Sequence, residues 1–67
     1  MDKLIKALEE QRRACKREED SLTRSWVSAV ESEMSELAEV YNRVRHYHLA
    51  KKEVLTDVLH ALKALKA

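Results

Sequence analysis

Three features of the sequence predict an all-α chain: Gly and Pro are both absent, apolar residues recur at steps of three and four, and charged residues supply 37% of the 67 positions against 45% hydrophobic. Without glycine or proline the chain lacks the residues that most readily form tight turns and helix stops, so its helices run long. Steps of three and four place side chains on one helical face. The balance of charge and apolarity is that of amphipathic helices, since sustained disorder needs lower hydrophobicity or a net charge well beyond the +1 found here. The expected architecture is a short N-terminal helix followed by a long amphipathic helix, hairpin-like or coiled-coil-like and associating as an oligomer. A three-helix bundle is the alternative. The whole chain, 1–67, is expected to form a single helical interaction domain.

The first helix is expected over about residues 2–19, where Leu4, Leu8 and Cys15 form a sparse stripe with Ile5 beside it. The best candidate break is at Asp20-Ser21. Ser21 can cap a following helix, Glu18, Glu19 and Asp20 suit that helix's positive end, and Arg12, Arg13, Lys16 and Arg17 suit the preceding negative end. A turn is therefore placed at about 20–24 and the second helix at about 25–66. A weaker break falls at His46-Tyr47-His48, where helix propensity dips.

From Leu22 onward the apolar residues fall at Leu22, Trp26, Val30, Met34, Leu37, Tyr41 and Val44 and, past a polar interval, at Leu55, Val58, Leu59, Leu62 and Leu65. These twelve residues are the expected oligomer or partner interface. The four-residue steps from Leu22 to Met34 exceed what a strict heptad permits and imply a stutter, while beyond Val54 the face widens enough to touch two helices. A helix from Ser21 to Lys66 would be roughly 70 Å long at 1.5 Å per residue, and the short first helix would cover less than half of it. The rest of the stripe is then expected to meet another chain.

Composition narrows the range of functions. A net charge of +1 gives no whole-molecule attraction to nucleic acid or anionic lipid. No apolar run approaches the roughly 20 residues of a membrane span, and the start of the chain lacks a signal-peptide core, so a cytoplasmic location without a membrane partner is expected. Cys15, the single cysteine, is expected to be a small apolar helix residue. His46 and His48 project to different faces and His60 lies far along the helix, which gives no metal-ligand set. No phosphate loop and no nucleophile with an adjacent base is discernible. Neither a cofactor nor catalysis is expected.

Other features bear on partners. Arg12, Arg13, Lys16 and Arg17 share one arc, and Arg43, Arg45 and Lys52 follow in a segment carrying Tyr47; together these are the candidate nucleic-acid contacts of a small phage-type or plasmid-type regulator. Neighbouring Glu9, Glu10, Glu18 and Glu19 dilute the first group, and the second is spread around its helix, with Arg45 and Lys52 on the flank of the apolar stripe. His48 and Lys51 interrupt that stripe, as polar groups that fix register or partner number do. Ser21, Ser25, Ser28, Ser32 and Ser35 form a second stripe of small residues. The helix carrying Tyr41, Leu55, Val58, Leu59 and Leu62 resembles the second helix of small co-chaperones of type III secretion needle subunits, over less than half of the chain. The expected role is a homodimer, with itself and another helical protein as partners, acting as an adaptor, chaperone-like protein or regulator and pairing antiparallel about an axis near Tyr41.

Overall fold

A computed structural model of the chain describes residues 2–66. It is a helical hairpin: α1 spans Asp2–Glu31, α2 spans Ser35–Lys66, and the two lie antiparallel along a molecule of about 50 × 14 × 11 Å. No strand occurs among the described residues.

The reversal falls at Ser32-Glu33-Met34 and not at 20–24. The Met34 N–H donates to the Ala29 carbonyl and the Glu33 N–H to the Val30 carbonyl, which are the two bonds of a Schellman cap. That cap needs a left-handed residue, and Glu33 supplies it at φ 58°, without the glycine that usually fills the position. The Met34 carbonyl then accepts from the Ala38 N–H and starts α2. At the expected break the helix simply continues. Thr23 returns its hydroxyl to the Glu19 carbonyl, and the charge order around it is compatible with an unbroken helix because no residue there interrupts the backbone ladder. The helix also passes unbroken through His46–His48. Two helices of 30 and 32 residues replace the short-then-long arrangement, so α1 covers α2 along nearly its whole length.

The seam repeats in strict heptads. In α1 the residues turned inward are Ile5, Leu8, Arg12, Cys15, Glu19, Leu22, Trp26 and Ala29; in α2 they are Ala38, Tyr41, Arg45, His48, Lys52, Leu55, Leu59 and Leu62, all buried or half-buried. Alternating steps of three and four are the knobs-into-holes pattern of a two-stranded coiled coil. Cross-helix contacts fix the register: Lys66 to Asp2 at the open end, Arg12 to Thr56, Lys52 to Glu19, and the Arg45 guanidinium over the Trp26 ring near the turn. Apolar layers occupy both ends of the seam and polar ones its middle. Leu59, at 0% exposure, is the one fully buried large side chain among the described residues.

Candidate interaction surface

The middle of the seam is a polar network built by residues whose types suggest a surface. Lys52 Nζ lies 2.8 Å from Glu19 Oε2, with side chains 25% and 17% exposed. The Glu19 carboxyl is held below the usual range, first by that hydrogen bond and then by the charges of Lys52, Lys16 and Arg45, against the opposing effect of partial burial. Arg45 donates to the Asn42 side-chain oxygen at 2.6 Å, and its guanidinium carbon sits 4.7 Å from the Trp26 ring centroid. His48 packs edge-on to Tyr47, with centroids 5.3 Å apart. Arg45 and Lys52, expected on the flank of a stripe, are thus seam residues.

The twelve residues expected on one interface divide between the intramolecular seam and exposed positions. Leu22, Trp26, Tyr41, Leu55, Leu59 and Leu62 belong to the intramolecular seam, whereas Val30, Met34, Leu37, Val44, Val58 and Leu65 are exposed. Trp26 is half-buried beneath Arg45. The exposed residues of α2 extend a second heptad series running alongside the seam: Leu37, Val40, Val44, Tyr47, Lys51, Val54, Val58, Ala61 and Leu65. In this outer stripe Tyr47 is 62% and Leu65 75% exposed. Val40, Tyr47 and Val54 were absent from the expected interface, and their three-and-four spacing with Val44 and Val58 was the signal that could have found them. His48 therefore interrupts the seam and Lys51 the outer stripe.

On α1 the same side of the hairpin carries Leu4, Ala7, Gln11, Ala14, Glu18 and the serines 21, 25, 28 and 32. Shallow recesses join the two helices on this side. One is lined by Gln11, Ala14, Cys15, Glu18, His48 and Lys51, and another by Ser25, Ser28, Ser32, Leu37 and Tyr41 with Arg24, Ala29 and Met34. The serine stripe is consequently a low shoulder beside the tall apolar ridge of α2; Ser35 opens α2 beyond it.

The opposite side is charged. Arg12, Arg13, Lys16 and Lys52 gather with Thr56 around one recess, which brings four of the candidate nucleic-acid contacts together. Arg12 is tied to Thr56, Arg13 to Glu10 and Lys52 to Glu19. Arg17 lies outside that recess, and Arg43 pairs with Glu39 on the far helix. Cys15 is buried as a free thiol. No helix of the described residues is long and apolar enough to cross a membrane. No family model, curated protein or solved structure matches the chain.

Proposed function

We propose that the chain is a non-enzymatic helical interaction module that self-associates and, so assembled, binds or organises another helical protein as an adaptor, chaperone-like protein or regulator, in the cytoplasm. The outer stripe of α2 carries this reading. Seven large apolar side chains stand exposed in one heptad series, and a contiguous exposed apolar patch of such extent marks an interaction surface. Knobs at these positions fit holes on a facing helix.

Sedimentation across a concentration series tests the proposal alongside helix content by circular dichroism. Mass should rise with concentration, and a monomer made by Val44→Asp should keep its helix content at low concentration while losing the association. A second reading, a small nucleic-acid-binding regulator, draws on the recess of Arg12, Arg13, Lys16 and Lys52. It predicts a steeply salt-dependent affinity for DNA or RNA that falls when Arg13, Lys16 and Arg17 become Ala. Such an affinity, found in a chain whose mass stays constant, would overturn the interaction-module reading.

A further inference from the structure

We infer that the occupant of the outer stripe is a second copy of this chain, stacked face to face with its turn at the opposite end, so that α2 lies antiparallel on α2 and α1 on α1 about a two-fold axis passing close to Ala50. The inference rests on the self-association proposed above and adds the face, the partner and the direction.

Size fits first. The stripe from Leu37 to Leu65 is about 42 Å long at 1.5 Å per residue, and the hairpin presents a face two helices wide, roughly 20 Å at about 10 Å between axes. Their product is roughly 800 Å², close to what a stable interface takes from each partner and about a sixth of the 5037 Å² this chain exposes. A single added helix would cover only a fraction of that face. A second hairpin covers both the α2 ridge and the α1 shoulder, where Ala7, Ala14, Ser21 and Ser28 leave room for close approach.

Charge then selects the direction. The outer edge of the apolar face carries, on α2, Glu36, Arg43, Ala50, Asp57 and Ala64, and on α1, Lys3, Glu10, Arg17, Arg24 and Glu31, each set at seven-residue spacing. Turns at opposite ends set Arg43 against Asp57 of the second copy, Glu10 against Arg24, and Lys3 against Glu31, each pair occurring twice by symmetry. Arg17 meets its own equivalent, and Ala50 meets Ala50 near the axis. Turns at the same end give the reverse. α2 then lies beside the second copy's α1, with Arg43 against Arg24, Asp57 against Glu10, and Glu36 against Glu31, all like-charged. Each exposed pair contributes little, but a set that is attractive in one stacking and repulsive in the other decides orientation.

The polar interruption of the stripe also finds a place. Lys51 lies one residue from the axis, so opposite-end stacking brings it beside its own equivalent, with Glu18 of its own chain in the same recess to offset each ammonium. The axis lies about nine residues beyond Tyr41, which is occupied in the intramolecular seam.

The test is the dimer dissociation constant of the full chain by sedimentation. Val54→Asp should abolish the dimer while helix content at low concentration is retained. Arg43→Asp should weaken the dimer about tenfold and Asp57→Arg likewise, with the double variant Arg43→Asp/Asp57→Arg restoring it. In same-end stacking both single variants would tighten association, because each removes a like-charge pair and makes an attractive one; that outcome overturns the inference and leaves self-association standing. A dimer that survives Val54→Asp overturns the choice of face. A wild-type chain still monomeric at roughly 100 μM, an energy weaker than about −5.5 kcal/mol by the affinity relation, overturns the second-copy occupant together with the self-association on which it rests. The double variant separates lost charge pairing from lost helix stability, since Arg43 also pairs with Glu39 on its own helix.

Discussion

The two long faces of α2 are filled the wrong way round for a hairpin that lives alone. The inward face carries Arg45, His48 and Lys52 in its middle, whereas the outward face carries Val40, Val44, Tyr47, Val54 and Val58 with only Lys51 among them. Burial is favourable in proportion to the apolar area removed from water, so a chain whose helices needed only each other would have turned the outer stripe inward. Most polar groups of the seam have partners, Lys52 with Glu19, Arg45 with Asn42 and Trp26, and Arg12 with Thr56, whereas Arg45 Nε and His48 Nδ1 are buried without one. A polar layer at such positions fixes register at a cost in stability. The inner face therefore specifies the hairpin, and covering the outer face would stabilise it.

The sharpest contrast between the faces lies in truncation. Leu59→Ala, at the one fully buried large side chain of the described residues, should cost about 2–5 kcal/mol, read as a lowered denaturation midpoint at every concentration. Val58→Ala, one residue away on the outer stripe, should leave the dilute chain within about 0.5 kcal/mol of wild type and lower the midpoint only where the chain associates. Equal effects at both positions in dilute solution would erase the distinction between the faces.

The polar middle of the seam can be broken by acid. Because the folded carboxyl of Glu19 is depressed, its contribution is full above the unfolded value near 4.3 and is lost as pH falls through the lower folded value. Glu19→Gln should remove that component of the acid sensitivity and cost about 1 kcal/mol at neutral pH, measured by urea titrations at pH 7 and pH 3. An unchanged difference between the two pH values would dissociate Glu19 from the pH dependence. Leu at both 19 and 52 should be neutral or stabilising while loosening the register, visible as broadened amide resonances.

The smallest effect belongs to the turn. Glu33→Gly relieves a left-handed residue that carries a Cβ, but it loosens the unfolded chain, so a net gain somewhat under 1 kcal/mol is expected. A loss on this substitution would show that the Glu33 side chain contributes something beyond its backbone.

The all-helical hairpin was legible because the missing Gly and Pro and the three-and-four spacing act locally. The turn was not legible, since Ser32-Glu33-Met34 contains no residue that halts a helix by type and its cap is made of backbone bonds alone. That error propagated. Treating Trp26, Val30, Met34 and Leu37 as one helix carried the stripe across the reversal and merged residues of two different faces. Arg12, Glu19, Arg45 and Lys52 escaped notice as seam residues because charge ordinarily marks solvent, and only a heptad phase shared with Ile5, Leu8, Leu55 and Leu59 betrays them.

The ion pair between Asp2 and Lys66 places both ends of the described chain side by side, about 50 Å from the turn along the long axis. A load applied between these ends pulls across the seam and not along it. The helices would then unzip layer by layer, from Ile5 and Leu62 toward Glu19 and Lys52, each step opposed by a single layer of contacts. Gripped instead at the turn and at one end, the same molecule must shear all its layers together, so its mechanical strength depends on where it is held.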